Sequence, residues 1–241
     1  IIIMEDRMKA YKIRGYGSVD NLSIEEVELG KLKDNYVRVK MQATSLNAAD
    51  LDYVYSKFYR LIGLKKSANL ILGSDLVGVV YEVGRKVSNF KIGDLVWCDT
   101  SNPLSYGTYG EYVDVPGDQL AIRDASIPIT DAACMPSASM VAFQNVYMKK
   151  GPKRGMNVLV VGAGGGIGTA LVQFLIDIGA NITAIDKKEK HQGLLDLGVK
   201  TVYDYRDYDY IEQDVEYDFI YDLFYNRKIL HAVKRDRKSV V

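Results

Sequence analysis

Through the first half of the chain, apolar residues return at every second position in short runs. They do so in "MKAYKIR" (8–14), "SIEEVEL" (23–29) and "NYVRVKMQATSL" (35–46). "SDLVGVVYEVG" (74–84), "KIGDLVWC" (91–98) and "EYVDV" (111–115) repeat the pattern, and Gly, Asp, Asn and Pro punctuate the gaps. A period of two marks half-buried strands, and many short strands with glycine turns predict a barrel or sandwich. One helix interrupts them, at "NAADLDYVYSKFY" (47–59).

After Pro128 the period changes. "TDAACMPSASMVAFQNVYMKK" (130–150) predicts one helix, with Thr130 or Asp131 as N-cap. Strands and helices then alternate. "NVLVVG" (157–162) is a continuous apolar run, as expected of a strand buried on both faces. "GTALVQFLIDIG" (168–179) has apolar residues at helical spacing and ends on Gly179, a natural C-cap. "NITAID" (181–186), "EKHQGLLDLG" (189–198), "KTVYDY" (200–205) and "YDFIYDL" (217–223) follow as strand, helix, strand and strand. This order predicts a parallel sheet with right-handed crossovers.

Five glycines lie between Gly162 and Gly168, where the first of these strands meets its helix. A glycine turn there is a phosphate cradle, because the helix start offers unpaired N–H groups and partial positive charge. The register that fits the dinucleotide fingerprint is Ala163-x-Gly165-x-x-Gly168, with Gly162 left as the end of the strand. Gly165 then approaches a pyrophosphate, Gly168 permits close helix–strand packing, and the backbone of Gly164, Gly165, Gly166 and Ile167 lines the phosphates. Asp186 ends the next strand at the spacing expected of a ribose-binding acid, which favours NAD(H). Lys187, Lys188 and Lys190 follow at once and could meet a 2′-phosphate, which favours NADP(H). Both cofactors stay open, with the balance tipped to NAD.

Composition narrows the partners. Thirty-one basic residues balance 31 acidic ones, so charge gives no reason to expect nucleic acid or an anionic membrane. No segment approaches the apolar length of a membrane span, and a cytoplasmic protein with a small-molecule substrate is the expectation. Cys98 and Cys134 are expected to be reduced and packed.

The stretches "SLNAADLDY", "ILGSDLVGVVYEVGRKVSNFKIGDLVW", "GTYGEYVDVP", "AACMPSASMVAFQ", "VVGAGGGIGTALVQ" and "LGVKTVYDY" stand in a specific order and spacing. Together they resemble the medium-chain dehydrogenase/reductases, in particular the zinc-free quinone oxidoreductase-like branch. The resemblance implies an α/β protein. A GroES-like β-barrel domain (8–127) is followed by a Rossmann domain (128–235), with the active site in the cleft between them. It further implies reduction of a quinone, enone or related carbonyl by a nicotinamide cofactor.

Asn47 and Asp50 match an Asn-x-x-Asp of the family and are the expected catalytic pair, orienting the nicotinamide or a substrate oxygen. Helix capping by Asn47 is the competing reading. Tyr53 and Tyr55 are candidate proton donors, with a wall or core role as the alternative. Tyr205 matches a family tyrosine beside the adenosine end. Val141 stands where the family usually has threonine. Zinc-dependent relatives carry cysteine where Asn47 aligns, Gly-His-Glu where Gly73-Ser74-Asp75 stands, and cysteine near Ser137. Asp75 alone does not make a catalytic site of three protein ligands, so no zinc is expected. Without a Lewis acid, a conjugated acceptor is the easier hydride sink. A non-catalytic dinucleotide-binding sensor and a zinc-independent alcohol or aldehyde reductase are the alternatives.

The Rossmann domain reads as truncated, since a six-stranded fold needs two strands after "YDFIYDL". Residues 236–241 read as a foreign tail resembling a translated sequencing adapter. The intact parent is expected to dimerise, as relatives commonly do through the Rossmann sheet edge.

Overall fold

The computed structural model describes residues 6–55, 70–101, 107–148, 150–208 and 216–224. The chain divides into two compact units, Ile1–Ser137 and Ala138–Val241. The division falls ten residues beyond the expected boundary at 127.

The first unit is antiparallel. Its strands are β1 (Arg7–Ile13), β2 (Leu22–Glu28), β3 (Tyr36–Ala43), β4 (Leu70–Ile71), β5 (Asp75–Val83), β6 (Leu95–Asp99), β7 (Tyr112–Pro116) and β8 (Ala121–Ile122). They form a five-stranded sheet in the order β7-β3-β5-β6-β8 and a three-stranded sheet in the order β2-β1-β4. Alternate residues of the larger sheet, Val37, Val39, Leu76, Val80, Val96, Val113 and Val115, meet in one buried cluster. Arg38, between two of those valines, is 5% exposed. It sits opposite Asp114 on β7 and Glu82 on β5. Its guanidinium donates to both Asp114 carboxylate oxygens, at 2.7 and 2.9 Å, and to Glu82 at 3.1 Å. Two neighbouring strands thus supply the partners of this buried charge.

Two short helices belong to this unit. Helix α1 (Ala48–Val54) ends with Tyr55 as C-cap. Residues 56–59 of the longer helix expected from the sequence lie outside the described residues. Helix α2 (Ile129–Ala133) has Pro128 as N-cap, not Thr130 or Asp131.

The single helix expected over 130–150 is three pieces. After α2 the chain breaks at Cys134 and Met135, then forms α3 (Pro136–Phe143) and a π-type turn over Gln144–Met148. Pro136 is the cause. It has no N–H to continue α2, it disfavours helical backbone at Met135, and it is well suited to the first position of a new helix.

The break also leaves Cys134 exposed, whereas Cys98 on β6 is buried. Burial first, then the nearby Asp99 and Asp75, pushes the Cys98 thiol up to about 12. A thiol reagent at neutral pH is therefore expected to label Cys134 in the native protein and Cys98 only after denaturation. Peptide mapping of the labelled protein checks this, and native labelling at Cys98 would contradict it.

The second unit is a parallel sheet with helices. Strand β9 (Asn157–Val161) leads to α4 (Gly166–Ile178), then β10 (Asn181–Asp186), α5 (His191–Asp196), β11 (Thr201–Asp204) and β12 (Phe219–Asp222). The sheet order is β11-β10-β9-β12, and each described pairing is parallel. Val158 and Val160 of β9 join Leu171, Val172 and Leu175 of α4 in one buried cluster. Leu159 and Val161 join Ile185 and Tyr217 in another. Both faces of β9 are covered, as its unbroken apolar run predicts. No described helix is long and apolar enough to cross a membrane.

Candidate functional site

Two polar constellations carry the chemistry, one in each unit. In the second unit, β9 runs into the glycine turn. Gly162 has φ of +88°, so the left-handed residue of the turn is Gly162 and not Ala163. This corrects the register reading that left Gly162 as a plain strand end. Ala163 is fully buried, and its N–H points to the Ile185 carbonyl at 3.3 Å. Gly168 has no room for a side chain, because a Cβ there would strike the carbonyls of Gly162 and Ala163. Gly165 is the N-cap of α4, and its N–H donates to the Gly162 carbonyl at 3.1 Å.

Asp186 differs from expectation. It is 1% exposed. One carboxylate oxygen accepts the Gly164 N–H at 2.7 Å, and the other accepts the Lys187 N–H at 2.8 Å. The Lys190 ammonium lies 3.5 Å from that second oxygen. Asp186 therefore braces the glycine turn from the next strand. Gly164 and Gly165 already spend their N–H groups inside the turn. The donors that remain for a phosphate are Gly166 and Ile167, which open α4 and have no intrahelical acceptor.

Around this turn, the side chain of Lys187 is exposed and Tyr205 is 44% exposed, just past β11. Asp204 and Arg206 carried no signal in the sequence. Asp204 is 6% exposed and accepts the Lys188 N–H at 2.9 Å and a bidentate grip from Arg206 at 2.9 and 2.6 Å. The Arg206 hydrogen bonds hold its carboxyl well below the usual carboxylate range. This pair pins the loop after β10 to the end of β11.

In the first unit, the second constellation gathers at the start of β5. Asp75 is 1% exposed. Its Oδ2 accepts from Asn47 Nδ2 at 2.7 Å and from the Ser45 hydroxyl, and its Oδ1 accepts the Ser137 N–H at 2.7 Å. The last bond satisfies one of the open donors at the start of α3. Asn47 Nδ2 also lies 3.2 Å from Ser74 Oγ, and Ser137 Oγ lies 3.1 Å from it. Asn47, Ser74 and Ser137 are thus brought together, although they stand far apart in the chain. Ser74 follows Gly73, which has φ of +99° and whose missing side chain leaves space filled by Thr108 and the Tyr109 ring.

Asn47 is the N-cap of α1, so the capping role weighed from the sequence is present. Its backbone N–H donates to Asp50 Oδ2 at 2.7 Å, and the Tyr109 hydroxyl donates to the same oxygen at 2.8 Å. Asp50 is 6% exposed and faces inward. It holds Asn47 and Tyr109 in place through Oδ2. Burial, then the Asp50 hydrogen bond, push the Tyr109 phenol well above its ordinary value. Tyr53 packs against a buried cluster with Val54 and Leu72, in the wall role weighed from the sequence, whereas Tyr55 is exposed. Ser45 and Tyr109 carried no signal in the sequence, because their partners come from elements 30 and 59 residues away.

Zinc would need soft or imidazole donors here. The converging side chains are an amide and hydroxyls around one carboxylate already accepting three hydrogen bonds, a set that does not fit zinc. Among the described residues, no three His, Cys, Asp or Glu side chains are grouped to hold a metal.

Comparison with known proteins places these constellations. Residues 33–124 match the alcohol dehydrogenase GroES-like domain family. Residues 108–204 match the protein-L-isoaspartate(D-aspartate) O-methyltransferase family. A 2-methylene-furan-3-one reductase of Solanum lycopersicum is 29% identical over 253 aligned positions, covering all of this chain and 63% of that protein. The mitochondrial NAD(P)H oxidoreductase RTN4IP1 of Homo sapiens is 31% identical over 205, covering 78% of this chain and 52% of that protein. The solved quinone oxidoreductase of Coxiella burnetii superposes with a TM-score of 0.79 at 26% identity, over 90% of this chain and 69% of that one.

The chain belongs to the medium-chain dehydrogenase/reductases. It spans less than two thirds of the length of these two curated relatives. The antiparallel first unit is the GroES-like part of a medium-chain dehydrogenase/reductase, and the parallel second unit is its Rossmann part. The methyltransferase match takes in β9, the glycine turn, α4 and β10. That is the segment any nucleotide-binding fold with a glycine turn and a following acid would share.

Proposed function

We propose that the whole protein is an NAD(P)H-dependent, zinc-independent oxidoreductase that passes hydride to a quinone, enone or related carbonyl. The observation that carries this is the donor set of the first unit. The positions that bind metal in zinc-dependent relatives hold Asn47, Ser74 and Ser137, tied together around Asp75. Such a set offers hydrogen bonds and not Lewis acidity, and hydrogen bonds suffice where charge spreads over a conjugated acceptor.

The reduced nicotinamide would supply the hydride. In the second unit, Gly166 and Ile167 supply N–H groups for the pyrophosphate, and Asp186 keeps the turn in shape. Asp186 uses both oxygens in the turn, yet a carboxylate can accept more than two hydrogen bonds, so the choice between NADH and NADPH stays open. In the first unit, Asp75 fixes the Asn47 amide, and Asp50 fixes the Asn47 backbone through the start of α1.

Recombinant protein mixed with NADH or NADPH and a panel of quinones, enones and simple aldehydes tests this. The expected result is acceptor-dependent loss of reduced-nicotinamide absorbance, with conjugated acceptors ahead of simple aldehydes. The methyltransferase match favours a second reading, a site for S-adenosylmethionine. Binding of S-adenosylmethionine without binding of NAD(P)H would replace the first reading with the second.

A further inference from the structure

We propose that the Ser74 hydroxyl is the hydrogen-bond donor this site offers to a carbonyl oxygen of the substrate. The inference rests on counting protons, and it builds on the carbonyl-reducing function proposed above. Asp75 and Asp99 are directly opposite each other on β5 and β6. Two carboxylates so placed repel, and donors must separate them. Ser137 does this with both of its donors. Its N–H goes to Asp75 at 2.7 Å and its hydroxyl proton to Asp99 at 2.8 Å. The Ser45 hydroxyl proton goes to Asp75, as does one Asn47 amide proton. Each of these donors ends on a carboxylate, the strongest acceptor within reach.

Ser74 is different. A hydroxyl has one proton to give. At the 3.1 Å Ser74–Ser137 contact Ser74 Oγ is the acceptor, and the Ser137 hydroxyl lies between it and Asp99 at 2.8 Å. The second Asn47 amide proton reaches Ser74 Oγ at 3.2 Å, where Ser74 is acceptor. Ser74 Oγ thus accepts twice, and its own proton goes to none of the described residues, so a carbonyl oxygen can take it. Ser74 is also partly exposed, while Asp75 beside it is buried. Its backbone is held. The Ser74 carbonyl accepts the Thr100 N–H at 2.7 Å and the Thr100 hydroxyl at 3.0 Å. A donor fixed before the ligand arrives costs little to use.

The neighbouring carboxylates set the kind of ligand. They oppose a formal anion and suit a neutral carbonyl. Partial negative charge grows on the carbonyl oxygen during hydride transfer, so the Ser74 hydrogen bond serves the rate as well as binding.

The experiment compares wild type, Ser74→Ala and Ser74→Thr. Affinity for 2-cyclohexenone is measured by ligand-observed NMR, and KM and kcat by NADPH oxidation. Ser74→Ala is expected to weaken cyclohexenone binding about 3- to 10-fold and to lower its kcat/KM by at least as much, with the KM for NADPH within twofold of wild type. Ser74→Thr, which keeps the hydroxyl, is expected to restore both. Ser74→Ala with unchanged cyclohexenone affinity overturns the assignment and leaves the oxidoreductase function standing. Binding that depends on Ser74 without any NADPH oxidation supports the assignment and counts against that function. Wild type that does not bind cyclohexenone at all overturns the assignment.

Discussion

Asp75→Ala is expected to destabilise the first unit by about 3 kcal/mol and to lower its melting temperature by roughly 6–12 °C. The substitution strands three donors at once: the Ser45 hydroxyl, the Asn47 amide and the Ser137 N–H. A buried donor left without an acceptor costs about 1–3 kcal/mol. Two effects limit the total. Ser45, Asn47 and Ser137 are only partly buried, so water reaches them, and removing Asp75 relieves its repulsion with Asp99 across the β5–β6 pair. Asp75→Asn is expected to cost nearly as much, because its amide group turns a donor toward donors. Calorimetry of both variants measures the effect. A loss below 1 kcal/mol in both would show that Asp75 does not hold this cluster. The positions of Asn47, Ser74 and Ser137 would then need another cause.

This cluster marks where sequence reasoning reached and where it stopped. Asn47, Asp50, Ser74, Asp75 and Ser137 could be named from motif positions alone. Their arrangement could not. The Asp75–Ser137 bond depends on where α3 starts, and that depends on Pro136 breaking a stretch whose apolar spacing reads as one helix. The parallel order of the second unit was legible because the apolar period shifts cleanly from strand to helix between Val161 and Gly166. The burial of Arg38 was not legible, since a charged residue between valines reads as the solvent face of a strand. Only the cross-strand register brings Asp114 and Glu82 to it. Asp204 and Arg206 escaped for a related reason: the last residue of β11 and an arginine two positions on gain meaning only from the Lys188 loop they secure.

The sequence reading gives Asp186 a ribose-binding role, the structure shows it bracing the glycine turn, and Asp186→Ser separates the two roles. The carboxylate reaches the Gly164 N–H across 22 residues of sequence, a contact that the β9–β10 pairing creates. If Asp186 braces the turn, its loss frees Gly164, Lys187 and Lys190 together and disorders the start of α4. Affinities for NADH and NADPH should then fall in parallel, by about 10- to 100-fold, since hydrogen bonds to a charged group contribute about 1.5–3 kcal/mol. Their ratio should move by less than about threefold, because the brace acts before the 2′-position is met. If Asp186 instead holds the ribose, NADH binding should fall while NADPH binding holds or improves, as removal of a carboxylate spares a 2′-phosphate from repulsion. Asp186→Asn sharpens the contrast. It keeps one oxygen for the Gly164 N–H and gives up the charge that faces Lys190, so it should recover much of the affinity for both cofactors. Dissociation constants from cofactor fluorescence decide the matter. A selective loss of NADH binding in Asp186→Ser would return Asp186 to the ribose and restore the preference for NAD(H).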